Sequence, residues 1–377
     1  MKTPKSKSAS EKRKSRRRTG QGGSGPAQAL RPQRAAVMSG KVTLRDVADA
    51  AGVSPMTVSN LVTGRFSAMR PETRKRIETE IARLGYRPHS LARSLRLSKR
   101  SSIGMITFDD NPYYLADPFN NRVIAGLGNH LRANGYGLLL QGLSVASFKS
   151  SPLIRDIRTD GICILMSGSD KIRREIMDTM LALGQPLVVF QDYLKFAHAD
   201  VCCIRQADRV GGRALGRAVL QAGARRLLVA APEINWPAIV ERIKGIKEAI
   251  REAGGPATLR VVSCGDAEYQ DTQAAIAADI DANGIPDAIL AGNDQMGIAA
   301  MKLMSARGIR VPDRIMITGF NAFDFWQYTD PVLTTVRSPA YELGARGGAE
   351  ILNRLETGAF SAPEIVLAVE LQAGGTV

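Results

Sequence analysis

The sequence predicts a multidomain protein in which a small all-α head precedes a much larger α/β core. Between residues 43 and 84, apolar side chains recur at helical spacing in three short segments. From residue 102 onward, short apolar runs alternate with amphipathic stretches, as in a parallel sheet flanked by helices. The length of 377 residues suits two or three domains, and 44% hydrophobic residues is typical of a globular chain.

The positive charge of the chain is concentrated at its start. Residues 1–40 hold 11 basic residues and one acidic residue, and residues 41–101 hold 13 basic and five acidic residues. Residues 102–377 are close to neutral, with 27 basic and 30 acidic residues. A basic N-terminal segment, followed by a near-neutral remainder of the chain, indicates a polyanion-binding module joined to a second module. For residues 1–40 alone, a solubilising tail is the alternative.

Composition excludes several other classes of protein. Residues 1–40 are rich in Lys, Arg, Ser, Gly and Pro, so we expect a disordered basic extension, and translation starting at Met38 is an alternative to Met1. No apolar run is long enough to predict a membrane span or a secretory signal. The four cysteines and three histidines lack metal-ligand spacing, so we expect no metal site, no cofactor and no catalytic residue.

The predicted head, residues 41–87, contains three helices. The first begins with a capping box formed by Thr43 and Asp46, and Gly52 ends it. Pro55 begins the second helix, and the third runs from about residue 71 to residue 84. Two helices joined by a tight turn and supported by a third form a helix-turn-helix, whose second helix enters the DNA major groove. A small helical bundle with a solvated basic face is the alternative.

The sequence of this head resembles the LacI/GalR family of bacterial transcription regulators. The resemblance is carried by VTLRDVADAAGVSPMTVSN at residues 42–60, by LGYRP at 84–88 and by LARSL at 91–95. It continues through nearly the whole chain from residue 42. It implies a helix-turn-helix head followed by a two-subdomain core like that of periplasmic binding proteins.

The resemblance also implies which residues contact DNA. In this family the start of the second helix contacts bases and nearby hydroxyl groups contact phosphates. The matching residues are Thr43, Pro55, Met56, Thr57, Ser59, Asn60 and Thr73. Asn60 can donate to and accept from a base edge, whereas Met56 can pack on a thymine methyl group. Arg70 stands where the family often has a serine cap on the third helix.

Residues 88–101 are predicted to form a hinge helix and linker. By resemblance, the hinge folds when two copies pair over the operator centre. Leu95 would then wedge between base pairs in the minor groove, and Arg96 would follow it there. A flexible basic linker is the alternative.

The core, residues 102–377, is predicted as alternating strands and helices. The strands are Ile103–Phe108, Gly137–Leu140, Gly161–Met166, Leu187–Phe190, Arg226–Ala230, Arg260–Ser263, Ala288–Ala291 and Ile315–Gly319. The helices include Asn121–Ala133, Asp208–Ala222, Ile239–Ala253, Gln295–Ala306 and Tyr341–Leu355. By resemblance the chain crosses between subdomains three times. The N-subdomain would comprise residues of about 102–206 and 335–359, and the C-subdomain about 207–334 and 360–377.

Ligands of such sheets bind beyond the carboxyl ends of the strands, and the resemblance points to the loops found there. The candidate ligand-binding residues are Gln191, Asp192, Trp236, Arg242, Asn293, Asp294 and Asn321. Surface loops with satisfied polar groups are the alternative, and for Trp236 the alternative is packing in the core. Gln191 and Asn321 replace carboxylates that are common in the family. Because arginines lie nearby in the sequence, a sugar acid or a sugar phosphate is an alternative to a neutral sugar as the ligand.

Together these features predict a cytoplasmic, nucleoid-associated transcription regulator that responds to a small effector. We expect a repressor of carbohydrate or related catabolic genes, without a membrane partner, that binds a pseudo-palindromic double-stranded operator as a homodimer. A tetramer is an alternative, and the effector is either an inducer or a corepressor. An enzyme is the main rival class, but the GLGNHL segment at 126–131 lacks the third glycine of a dinucleotide fingerprint and lies within a predicted helix.

Overall fold

The computed structural model divides the chain into two compact units, residues 1–88 and 89–377. The described residues are 42–62, 65, 69–86, 100–110, 114–150, 154, 159–234, 236–265 and 269–377. The predicted extension at 1–40 and the predicted hinge contacts of Leu95 and Arg96 lie outside them. None of the helices in these ranges is long and apolar enough to cross a membrane.

The first unit contains the three predicted helices. They are α1 (Leu44–Ala51), α2 (Pro55–Val62) and α3 (Pro71–Leu84). Thr43 and Asp46 form the expected capping box, and Gly52 ends α1 with a left-handed backbone at φ 62°. The three helices enclose one small apolar core, whose fully buried members include Val47 and Ile77. The amphipathic pattern of the head is therefore confirmed.

Arg70 precedes α3 but makes no side-chain hydrogen bond to it. Its backbone is extended, as at a normal N-cap, so a short hydroxyl side chain fits this position without backbone change. We expect Arg70→Ser to raise the free energy of unfolding of the head by about 1 kcal/mol, because a serine oxygen accepts an otherwise unpaired helix N–H. Thermal unfolding followed by circular dichroism measures this, and Arg70→Ala is the control that should bring no such gain.

The second unit begins with a lobe built on a six-stranded sheet, here called the first lobe. Its elements are β1 (Ser102–Phe108), α4 (Pro118–Ala133), β2 (Gly137–Leu143), β3 (Gly161–Met166), α5 (Asp170–Leu181), β4 (Leu187–Phe190), β5 (Val201–Gln206), α10 (Ala340–Thr357) and β11 (Glu364–Leu367). The strand order is β11-β5-β4-β3-β1-β2, and every neighbouring pair is parallel. Helices cover both faces, α4 and α10 on one and α5 on the other.

The second lobe is built on a four-stranded parallel sheet. The elements are α6 (Asp208–Gln221), β6 (Arg226–Pro232), α7 (Pro237–Ala253), β7 (Thr258–Cys264), α8 (Tyr269–Asn283), β8 (Ala288–Ala291), α9 (Asp294–Ala306), β9 (Met316–Thr318), β10 (Thr335–Arg337) and β12 (Glu370–Gln372). The strand order is β7-β6-β8-β9, and two helices lie on each face of the sheet, α6 with α7 and α8 with α9. A short antiparallel pair, β10 and β12, lies at the crossovers.

The third crossover lies after residue 367, and its prediction near residue 359 was wrong. Strand β11 pairs in register with β5, with Glu364 opposite Cys203, so residues 360–367 belong to the first lobe. The second crossover follows β10, because Val336 packs in the core of the second lobe. It therefore lies a few residues beyond the predicted position at 335.

Two helix crossings in the core depend on glycine. At the contact of α4 with α10, a methyl group on Gly126 would overlap the carbonyl oxygen of Tyr341, and one on Gly344 would overlap that of Val123. The contact of α6 with α7 is built in the same way from Gly212 and Gly245. Gly126 therefore permits close packing of two helices, a role unrelated to a dinucleotide fingerprint.

Candidate functional site

The start of α2 is exposed on the surface of the head. Met56 is 61% exposed and Pro55 is also exposed, so both are accessible to a base edge. The Ser54 and Thr57 hydroxyl groups hydrogen-bond to each other at 2.8 Å, and the Thr57 N–H donates to Ser54 Oγ at 3.1 Å. This arrangement fixes the first turn of the helix that is predicted to contact bases.

The predicted phosphate contacts differ in how much of each side chain is available. The Thr43 hydroxyl already donates to Asp46 Oδ2 at 2.8 Å and accepts from the Asp46 N–H at 3.3 Å. The Thr43 backbone N–H also donates to Asp46 Oδ2 at 2.8 Å, and this bond together with the one from the Thr43 hydroxyl lowers the pKa of Asp46. The predicted contacts Ser59, Asn60 and Thr73 are half-buried. On α3, Lys75 and Arg76 are exposed, whereas Arg74 is paired with Glu78 at 2.8 Å.

A cavity of about 580 Å³, including its open mouth, lies between the two lobes of the core. Polar side chains, two aromatic rings and several aliphatic groups form its wall. The lining residues are Asp117, Phe119, Asn120, Leu165, Gln191, Pro232, Trp236, Ala238, Ile239, Arg242, Gly292, Asn293 and Asn321. Gln191 and Asn321 adjoin strand ends, Arg242 lies on α7, and Asn293 caps α9, so segments far apart in sequence meet here.

Five of the seven predicted ligand-binding residues line this cavity: Gln191, Trp236, Arg242, Asn293 and Asn321. Asp192 does not, because its carboxylate forms a buried ion pair at 2.9 Å with Arg173. Asp294 does not line it either, because its carboxylate accepts hydrogen bonds from Thr335 and from the backbone N–H of Phe323. Both aspartates follow a strand that leads to the cavity, but their side chains are used inside the protein.

Arg242 makes three contacts that hold its guanidinium in place. Its Nε donates to Asp208 Oδ1 at 2.8 Å and its Nη1 donates to the Gly292 carbonyl oxygen at 2.6 Å. The guanidinium carbon lies 3.6 Å from the centroid of the Phe320 ring, a cation–π contact. Only 8% of Arg242 is exposed, and its charge is balanced at contact distance by a fully buried carboxylate.

Asp208 is the centre of a polar network behind the cavity. Besides Arg242, its carboxylate accepts from Gln191 Nε2 at 3.1 Å, Tyr193 Oη at 2.7 Å and Gln206 Nε2 at 2.9 Å. Gln206 Oε1 in turn accepts from Ser338 at the second crossover. The network therefore joins the cavity wall to two of the segments that connect the lobes.

Asn321 is the least satisfied polar group of the cavity wall. Its Oδ1 is buried, and no hydrogen-bond partner for it occurs in the described ranges. Its backbone has φ 115°, a conformation that side chains other than glycine rarely adopt. A strained residue with an unpaired acceptor at a cavity is typical of a binding position.

Helix α4 and its cap contribute a part of the cavity wall that the sequence did not predict. Asp117 caps α4, and its carboxylate accepts from the N–H groups of Phe119 at 2.7 Å and Asn120 at 3.1 Å. Burial raises the pKa of Asp117, although these hydrogen bonds and Arg242 oppose the shift. The Asp117-Pro118 pair, a cap followed by a proline in the first turn, was a visible signal for this helix start.

The chemistry of the wall suits a neutral ligand that forms hydrogen bonds and has an apolar face. Amide side chains of Asn120, Asn293 and Asn321 provide donors and acceptors, and Trp236 and Phe119 provide flat surfaces. Arg205, an arginine in β5 just before the first crossover, is paired with Glu364 at 2.7 Å and does not line the cavity. Within the described ranges, no cluster of three His, Cys, Asp or Glu side chains is placed to hold a metal ion.

Two family models match the chain. Residues 43–89 match "Bacterial regulatory proteins, lacI family", and residues 217–377 match "Periplasmic binding protein-like domain". Among curated proteins, the HTH-type transcriptional regulator CelR of Thermobifida fusca is 28% identical and the HTH-type transcriptional repressor PurR of Vibrio atlanticus is 29% identical. Each alignment covers 83% of this chain and 92% of the relative.

Solved structures resemble the fold over most of its length. A lac repressor dimer bound to operator and the anti-inducer ONPF matches with a TM-score of 0.75 at 21% identity, over 89% of this chain and 99% of that one. A CelR–cellobiose complex matches with a TM-score of 0.65 at 24% identity, over 89% of this chain and 100% of that one. The chain therefore joins a lacI-family helix-turn-helix head to a periplasmic-binding-protein-like core, and its curated relatives are LacI-family transcription regulators.

Proposed function

We propose that this protein is a transcription repressor whose affinity for its operator is controlled by a small neutral carbohydrate in the core cavity. One observation carries this proposal: a single chain joins a helix-turn-helix with an exposed second helix to a core with a polar, aromatic-lined cavity. The curated relatives are regulators rather than enzymes, and they include a ribose operon repressor of Haemophilus influenzae.

We propose that it acts as a homodimer on a pseudo-palindromic double-stranded operator near genes of carbohydrate or related catabolism. One head would occupy each half-site, with Met56 and Asn60 facing base edges, and Leu95 and Arg96 at the operator centre. A regulator of this kind acts at the chromosome, so we place it in the cytoplasm, associated with the nucleoid.

Selection of binding sites from random duplexes tests the DNA-binding half of this proposal. The selected sites should be inverted repeats, and purified full-length protein should bind them at least a thousandfold more tightly than a scrambled duplex at the same salt concentration. Selection of no common sequence, or of a single asymmetric half-site, would contradict a dimeric repressor.

We propose a neutral rather than anionic effector because the charges at the cavity are already balanced. Arg242, the one basic side chain among the described lining residues, is already paired with Asp208 and is not free to bind a sugar acid or phosphate. Among sugars, we expect neutral compounds such as cellobiose or ribose to raise the melting temperature, and glucose 6-phosphate and gluconate to leave it unchanged. A sugar concentration of about one hundred times Kd should raise the free energy of unfolding by roughly 2.7 kcal/mol.

A thermal-shift screen with these neutral and anionic sugars, followed by calorimetry, makes this comparison. Trp236→Ala should weaken binding of the neutral sugar, because the ring surface it offers is lost. Stabilisation by the phosphorylated or acidic sugars alone would show that the charge argument is wrong.

A further inference from the structure

The carboxylate of Asp294 lies within the loop that carries Asn321, and not in the cavity. Asp294 is the first residue of α9 and is 2% exposed, and its N–H donates to the Phe320 carbonyl oxygen at 3.0 Å. Its Oδ2 accepts from the Phe323 N–H at 3.3 Å. The side chain therefore holds the loop on both sides of Asn321.

The same carboxylate connects the loop to the second crossover. Thr335, fully buried in β10, donates from its hydroxyl group to Asp294 Oδ1. Strand β10 also holds the loop directly, because the Asn321 N–H donates to the Val336 carbonyl oxygen at 2.8 Å and the Ser338 N–H donates to the Asn321 carbonyl oxygen at 3.0 Å. Asp294 is thus the side-chain link between α9, the loop and β10.

The loop needs such support because its backbone is strained. Asn321 at φ 115° and Ala322 at φ 51° adopt conformations that L-residues rarely populate, and these persist only where neighbouring contacts enforce them. A methyl group on Gly319 would overlap Asp294 Oδ1, so the carboxylate fills the inside of the loop. Burial raises the pKa of Asp294 to about 7, and the hydrogen bond from Thr335 is the largest opposing effect.

We propose that Asp294 is a positioning residue that, together with Thr335, fixes the loop so that Asn321 lines the cavity, without itself contacting the effector. The role in effector binding rests on the proposed function of the cavity, whereas the role in holding the loop does not. The experiment separates the two by using one measurement without a ligand and one with a sugar.

Thr335→Val removes the hydroxyl donor to Asp294 with little change in side-chain shape. Thr334→Val is the matched control: Thr334 is 3% exposed in the adjacent position, and its Oγ1 accepts from the Gly374 N–H at 3.1 Å, away from Asp294. Hydrogen–deuterium exchange of the full-length protein would be followed in a peptide covering residues 319–326. We expect exchange about tenfold faster in Thr335→Val, and wild-type exchange in Thr334→Val and Thr335→Ser.

Unchanged exchange in Thr335→Val, or equal acceleration in Thr334→Val, would overturn the proposal. Asp294→Asn gives a second comparison. The amide keeps one acceptor oxygen and replaces the other with an NH2 group, which cannot accept a hydrogen bond. Exchange should therefore rise at least as much as in Thr335→Val. If Asp294→Asn does not fold, the comparison of Thr335→Val with Thr334→Val alone tests the proposal.

The second measurement uses cellobiose, or whichever neutral sugar stabilises the wild type in the thermal-shift screen. Thr335→Val should weaken its affinity about tenfold, and Thr334→Val should not. Asn321→Ala combined with Thr335→Val should bind no more weakly than Asn321→Ala alone, because both act through one contact. Faster loop exchange with undiminished sugar affinity would refute the positioning role. Wild-type protein that binds no sugar would instead count against the proposed function and leave the exchange result standing.

Discussion

Arg242→Ala should lower the free energy of unfolding of the core by roughly 3–5 kcal/mol and abolish its response to any ligand of the cavity. The cost arises because Asp208, which is 0% exposed, loses its only described cationic partner at contact distance. The variant also removes the hydrogen bond to the Gly292 carbonyl oxygen and the contact with the Phe320 ring. Arg242 and Gly292 both line the cavity, so stability and ligand response should decline together.

Denaturant unfolding of a double-mutant cycle measures this effect. Arg242→Ala, Asp208→Asn and the double variant should not be additive, and the double variant should recover about 2 kcal/mol relative to the sum of the single losses. Arg310→Ala is the control, because its pair with Asp313 is exposed on both sides and should contribute little. Additive losses, or a loss in Arg242→Ala as small as in the control, would show that the buried pair does not stabilise the core.

The head could be predicted almost to the residue because its signals are local. The capping box at Thr43, Gly52 after α1 and Pro71 at the start of α3 each mark a helix boundary within a few residues. The core offers fewer such signals. Strand β5 was missed because its sequence, VCCIRQ, ends in polar residues, and α8 was missed because its alanine-rich sequence has no sharp apolar face.

The errors in the core share a physical cause. The third crossover was misplaced because β11 finds its partner, β5, about 160 residues earlier, and no local pattern encodes that pairing. Asp294 was assigned to the wrong role for a related reason. The sequence shows that it follows a strand leading to the cavity, but the direction of its side chain depends on Thr335, which is 41 residues away.

Gly126→Ala should destabilise the core strongly, and Gly128→Ala two residues later in the same helix should not. A methyl group on Gly126 would overlap the backbone carbonyl of Tyr341, so α4 and α10 would have to separate. We expect a net loss of about 2–3 kcal/mol, even though alanine favours a helix by nearly 1 kcal/mol over glycine. At Gly128 the added carbon would lie 3.5 Å from Leu138 Cδ2, an ordinary contact, so only the gain in helix propensity should remain.

Denaturant unfolding of both variants beside the wild type provides the measurement. The two changes are chemically identical and lie in one helix, so any difference in unfolding free energy reports the helix crossing alone. The reciprocal position, Gly344 against the Val123 carbonyl, should behave like Gly126. If Gly126→Ala and Gly128→Ala stabilised the protein equally, α4 and α10 would tolerate a wider separation than the structure shows. The close approach of these two backbones would then contribute nothing to the stability of the first lobe.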